Sequence, residues 1–151
     1  MREIIVLLDN IRSALNVGAI IRTCDGAGIK EIFIKGITPE PSHPKVAKTS
    51  LSAEQNIKFT KIRSLDDLQS KLDSGYELIS IEESSNSKNF FEQEISDKVI
   101  LVFGHEITGV SKELLEVSDN ILHLPMLGTK RSLNVATTAG IVIYNLKFGR
   151  I

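Results

Sequence analysis

Val99-Ile100-Leu101-Val102-Phe103-Gly104-His105-Glu106-Ile107-Thr108-Gly109-Val110 is the stretch that decides the fold. Its first five residues are apolar without a break. A strand with one wet face alternates, whereas a strand covered on both faces does not, so this run belongs inside a parallel sheet flanked by helices. Gly104 ends the run, and Glu106 and Gly109 follow at the carboxyl end of the strand. Open α/β sheets bind ligands at that end. Glycines there let backbone approach a ligand closely, with a plain turn as the alternative.

Working outward, the same alternation of buried strand and helix continues to both ends. Ile4-Ile5-Val6-Leu7-Leu8, Ile32-Phe33-Ile34, Leu78-Ile79-Ser80-Ile81 and Ile121-Leu122-His123-Leu124 read as further strands, with residues 57–62 as an edge strand. A helix is predicted over 17–27 with Gly28 closing it. A short helix is predicted over 46–54, after a loop marked by Pro39, Pro41 and Pro44. Leu65, Leu68 and Leu72 carry amphipathic helical spacing, and a last helix spans 133–146. Residues 82–97 read as a surface excursion. The pattern predicts an α/β domain, a mostly parallel sheet with helices on both faces.

Composition sets limits on function. The chain has 151 residues, 42% apolar and 25% charged, with 5% aromatic residues and no Trp. That length suits one domain, residues 1–151. No apolar run nears the roughly 18 residues that span a bilayer, and no signal-peptide pattern opens the chain, so a cytoplasmic protein without membrane partners is expected. One cysteine, Cys24, allows no internal disulfide and no metal site of its own. A net charge of −1 is unlike that of strong non-specific nucleic-acid binders. Charge is sorted along the chain instead: residues 77–97 are acidic, and Arg12, Arg22, Lys45, Lys48, Lys130 and Arg131 lie in or beside the polar segments.

Two more segments hold polar residues that a fold alone does not require. Residues 10–23 leave the first strand and enter a helix, with Asn16 as its expected N-cap and Arg22 one to two turns on. A partly buried guanidinium there calls for an anion, either a carboxylate or an RNA phosphate. Residues 124–136 join the last strand to the last helix, with Ser132 expected to cap that helix and Asn134 in its first turn. The free first-turn amides can then donate to a bound ligand. The small residues Ala136, Ala139 and Gly140 suit close packing, including against a second subunit.

Three other patterns fail. His105-Glu106 begins a zinc-protease helix motif, but Gly109 stands in the second histidine's place. No lysine completes a phosphate-binding Walker loop. Gly26-Ala27-Gly28 lacks a third glycine at Glu31 and ends a helix rather than starting one, the wrong order for a dinucleotide site.

Taken together, Asn16–Thr23, Gly104–Val110, Leu124–Gly128 and Ser132–Ala136 resemble the three signature motifs of the SpoU/TrmH family of SPOUT methyltransferases. The resemblance implies a trefoil knot near the C-terminus, S-adenosylmethionine as cofactor, a homodimer with the site at the subunit junction, and no metal. It places cofactor contacts on Ile81, Gly104, Leu124, Met126, Ser132 and Leu133. It places catalytic or RNA-contacting groups on Asn16, Arg22, Glu106, Ser132 and Asn134, and assigns His105 nothing.

The expected activity is methylation of an RNA ribose 2′-hydroxyl, with tRNA favoured over rRNA. Arginine's pKa above about 12 makes it a poor base, so Arg22 is expected to orient the hydroxyl and stabilise oxyanion charge. Without an added RNA-binding domain, Arg12, Lys45, Lys48, Lys130 and Arg131 are the expected phosphate contacts. Rival expectations are a silent RNA-binding assembly factor, which would ignore the cofactor, and base methylation by another branch of the superfamily.

Overall fold

In this computed structural model, residues 1–149 are described. The chain runs β1 (Glu3–Asp9), α1 (Ala14–Gly26), β2 (Glu31–Lys35), α2 (Pro44–Ser50), β3 (Lys58–Ile62), α3 (Gln69–Asp73), β4 (Glu77–Ile81), β5 (Lys88–Asn89), β6 (Lys98–Gly104), α4 (Lys112–Val117), β7 (Asn120–His123) and α5 (Val135–Phe148). Seven strands form one sheet in the order β3-β2-β1-β6-β4-β7-β5. Every pairing is parallel. The continuous apolar runs of β1 and β6 lie side by side at the centre, Ile5 opposite Ile100 and Leu7 opposite Val102.

Successive side chains of a strand point to opposite faces, and the core divides accordingly. Ile4, Val6, Leu8, Val99, Leu101 and Phe103 meet α1, α2 and α5 on one face. Ile5, Leu7, Ile100 and Val102 meet Leu68 and Leu114 on the other. Each fully buried Ile or Leu contributes about 1.5–3 kcal/mol of transfer free energy. Gly18 lets α1 and α2 touch, since a Cβ there would strike Thr49 and the Val46 carbonyl. Cys24 is wholly buried, and burial pushes its thiol pKa up, leaving it inert.

Several local expectations are corrected. Ser13, not Asn16, caps α1: its backbone is extended and its hydroxyl accepts from Asn16 N at 3.2 Å. The helix expected over 46–54 breaks at Leu51 and Ser52, which take left-handed φ of 52° and 70°, and resumes as a 3-10 turn over Ala53–Asn56. The leucine-spaced segment is a 3-10 turn, Leu65–Leu68, running into the short α3. The excursion over 82–97 is anchored, because β5 joins the sheet edge and Phe90 and Ile95 are buried. Asn134 caps α5 in place of Ser132, and α4 has no counterpart in the sequence reading. Gly28 follows α1 with φ of 72°, as expected of a closing glycine. No helix among the described residues is long and apolar enough to cross a membrane.

Candidate active site

The three polar segments meet at the carboxyl ends of β1, β6 and β7. Glu106 accepts from the backbone amides of Arg12 and Ser13, each at 2.9 Å, and from Asn16 Nδ2 at 3.1 Å. The Asn16 Oδ1 accepts from Asn134 Nδ2 at 3.2 Å. Asn134 Oδ1 in turn accepts from the amides of Ala136 and Thr137 at 2.8 and 3.3 Å. Donor and acceptor chemistry fixes both amide orientations: an ionised carboxylate only accepts, and helix amides only donate. Partial burial works to raise the Glu106 pKa, but the hydrogen bonds from Ser13, Arg12 and Asn16 outweigh it and hold the carboxyl below its ordinary value. Glu106 is therefore a fixed anion that clamps the first segment to the second.

Beside this chain of hydrogen bonds lies a cleft of about 210 Å³. All six residues expected at the cofactor line it: Ile81 from the end of β4, Gly104 from β6, Leu124 and Met126 after β7, and Ser132 and Leu133 before α5. Glu106, Asn134 and Arg131 also border it. The two glycines are explained by the turn itself. A Cβ on Gly104 would strike the backbone of Gly109 and Val110, and Gly109 has φ of 76° with the Glu82 carboxylate against it. The expected ligand site at the first turn of α5 is also corrected. Asn134 already satisfies Ala136 N and Thr137 N, and its carbonyl takes Thr138 N at 2.9 Å.

Other expected residues are placed elsewhere. Arg22 is exposed, makes no ion pair among the described residues, and lines a hollow with Lys48, Thr49 and Tyr144 rather than the cleft. Its expected burial is corrected: it lies on the outer face of α1, while Ile20, Ile21 and Cys24 take the core. Arg12 and Lys45 line a separate groove that shares Glu106 and Ile107 with the cleft. Lys130 is exposed and borders none of these three hollows.

Among the polar residues of the cleft to which the sequence reading gave no role are Glu82, His123 and His105. Glu82 follows β4 and accepts from Val110 N at 2.7 Å, and burial raises its pKa. Its place directly after a buried strand was the available signal. His123 ends β7, with Nδ1 at 2.9 Å from Ser87 Oγ. That hydroxyl donates to the Ser84 carbonyl, so His123 Nδ1 is the donor and its Nε2 is left as an acceptor. His105 is the reverse. Its Nδ1 accepts from Ile107 N and Thr108 N at 3.0 and 3.2 Å, leaving Nε2 to carry the proton. Among the described residues no group of three or more His, Cys, Asp or Glu side chains is arranged to hold a metal ion.

A cleft at the carboxyl edge of a parallel sheet, closed by asparagine and glutamate from three distant loops, lies where open α/β proteins bind their ligands. The profile of the SpoU rRNA Methylase family matches residues 3–144, and the chain belongs to that family. It is 32% identical over 148 residues to the tRNA (guanosine(18)-2′-O)-methyltransferase of Aquifex aeolicus, a match covering 95% of this chain and 68% of that protein. The enzyme of the same name from Thermus thermophilus is 28% identical over 153 residues, covering 99% and 76%. The AdoMet-bound rRNA methyltransferase of Sinorhizobium meliloti superposes with a TM-score of 0.87 at 26% identity, over 94% of this chain and 54% of that one. The chain thus spans about half the length of the S. meliloti protein.

Proposed function

We propose that the protein is an S-adenosylmethionine-dependent RNA methyltransferase acting on a ribose 2′-hydroxyl, with tRNA as the favoured substrate. The observation that carries this reading is the Asn134–Asn16–Glu106 hydrogen-bond chain at the mouth of the cleft, which joins all three family motifs. The residues present suit the donor. Ile81, Leu124, Met126 and Leu133 offer an apolar bed, and Glu82, His105, His123 and Arg131 offer polar groups of both signs. When bound, S-adenosylmethionine supplies an activated methyl on a cationic sulfur. The names of the curated relatives support tRNA over rRNA.

In this reading the protein's part is alignment. Holding the ribose oxygen in line with the methyl at about 3–3.5 Å lowers the barrier by roughly 7–11 kcal/mol. Ile81, Leu124, Met126 and Leu133 would hold the methyl donor, which would supply the methyl group, while the polar groups at the mouth would orient the ribose hydroxyl and let its proton pass to water. Glu106 is a fixed acceptor saturated by residues 12–16 of the first segment, so its role is to position Asn16 and the 12–13 backbone. Ser132 and Asn134 present polar groups at the cleft. Arg22 orients the hydroxyl and stabilises the developing oxyanion.

Arg22 lies outside the cleft of its own chain, so we place it in the cleft of a partner protomer in a homodimer. The outer face of α5 supports this, because Ile141, Tyr144 and Phe148 are 37%, 45% and 59% exposed along one stripe. A cytoplasmic location, a knot formed by the cleft loops, one domain over residues 1–151 and phosphate contacts from Arg12, Lys45, Lys48, Lys130 and Arg131 belong to the same proposal. The test is to incubate the protein with S-adenosylmethionine and bulk tRNA from cells lacking the gene, digest to nucleosides and weigh them. A 2′-O-methylnucleoside is expected; a base-methylated nucleoside, or none, would overturn the reading.

A further inference from the structure

The groove next to the cleft has a chemistry of its own. It measures about 550 Å³ and is walled by residues 12–15, Pro39, the start of α2 and the 106–107 turn. Arg12, His43 and Lys45 converge on it, and neither Arg12 nor Lys45 makes an ion pair among the described residues. By contrast Lys35, Lys58, Lys61, Lys71 and Lys112 are each matched with a carboxylate. The one carboxylate in the groove, Glu106, is already taken up by Arg12 N, Ser13 N and Asn16. His43 Nδ1 accepts from Lys45 N at 3.1 Å, so the proton of the neutral ring is on Nε2, a donor free of that contact. Facing these groups are Leu15 and Ile107, 47% and 77% exposed.

We propose that this groove binds the nucleotide flanking the one to be methylated. Its phosphate meets Arg12, Lys45 and His43 Nε2–H, and its sugar and base lie against Leu15 and Ile107. Two features select single-stranded RNA as the occupant. Three donors around one site, with the oxygens of the local carboxylate already occupied by Arg12 N, Ser13 N and Asn16, fit a phosphodiester. The groove and the cleft share Glu106 and Ile107, so a strand whose ribose enters the cleft passes directly into the groove. The inference rests on the RNA-methylating reading above and adds a second subsite to it, with His43 as a contact that the motifs do not contain.

The capping role of His43 allows a clean test. Asparagine is among the best helix N-caps, so His43→Asn keeps the acceptor for Lys45 N and removes the Nε2 donor. Binding of a labelled uridine hexamer to the full chain saturated with S-adenosylhomocysteine is followed by fluorescence anisotropy from 50 to 200 mM salt. His43→Asn is expected to melt as the parent does and to bind about 5- to 10-fold more weakly. Arg12→Ala with Lys45→Ala is expected to flatten the slope of log affinity against log salt by about 0.7, one phosphate contact on a single strand. Ile107→Ala is expected to weaken binding with the slope unchanged. Unaltered affinity and slope in the first two variants, or a change in oligomeric state in place of RNA affinity, overturns the groove while leaving the methyltransferase reading in place. If the parent protein binds no RNA at all, that reading falls and the groove with it.

Discussion

The mouth of the cleft and the hollow beside Arg22 are built in opposite ways. At the mouth, Glu106, Asn16 and Asn134 are linked within a single chain, and both Glu106 oxygens have amide donors. Around Arg22 and Lys48 two cations stand exposed without an ion pair among the described residues, and an aromatic pair, Tyr144 and Phe148, lies open to solvent nearby. A region closed on itself holds a shape; an open one awaits something from outside. In the proposed dimer, the first region builds the site and the second meets substrate and partner.

Arg22 carries the largest expected effect. Arg22→Ala should lower turnover by about 100-fold or more, the scale of one lost charge-stabilising group, with cofactor affinity by calorimetry unchanged. Equal losses in both would return Arg22 to the cleft of its own chain. On the closed side, Gly104→Ala should destabilise the fold by about 3 kcal/mol in urea titration, since the backbone of 109–110 occupies the space a methyl needs. Parental stability in that variant would show that the turn can move.

Smaller effects sharpen the picture of the mouth. Asn134→Ala removes the cap of α5 and the link to Asn16, and should cost about 1–2 kcal/mol. Ser132→Ala should leave the melting temperature unchanged and weaken cofactor binding; a loss of stability equal to that of Asn134→Ala would restore Ser132 as the cap. The two glutamates differ in pH dependence. Glu106 has a lowered folded pKa, so its contribution is present above its unfolded value and lost as pH falls through the folded one. Glu82 has a raised folded pKa, so its contribution is present at low pH and lost as pH rises through the folded value. Glu82→Gln should therefore raise the melting temperature at pH 8 by about 2 °C, and do less at pH 4. A uniform shift at both values would mean that the carboxyl does not titrate differently on folding.

What the sequence made legible follows the same division. The central strands were readable because burial on both faces leaves an unbroken apolar run, as in residues 4–8 and 99–103. All six expected cofactor residues line one cleft, because strand ends and the loops after them converge in any parallel sheet. The capping assignments were not legible. Ser13 and Asn16, or Ser132 and Asn134, are equally good caps as residue types, and the choice is made by partners about 90 to 120 positions away. Glu82 and His123 escaped notice for the same reason, since Val110 and Ser87 reach them only in the folded sheet. Arg22 was expected to be partly buried from its apolar neighbours, but a helix turns about 100° per residue, and Ile20, Ile21 and Cys24 take the inward face.

Subunit complementation tests the division most directly. Arg22→Ala and a cleft-blocking Met126→Trp variant are each assayed for methyl transfer to bulk tRNA, then co-expressed and assayed together. If Arg22 of one protomer serves the cleft of its partner, both single variants are inactive and the mixture regains about one quarter of parental activity, one working site in each of the half of dimers that are mixed. A mixture as inactive as its components would contradict a shared site.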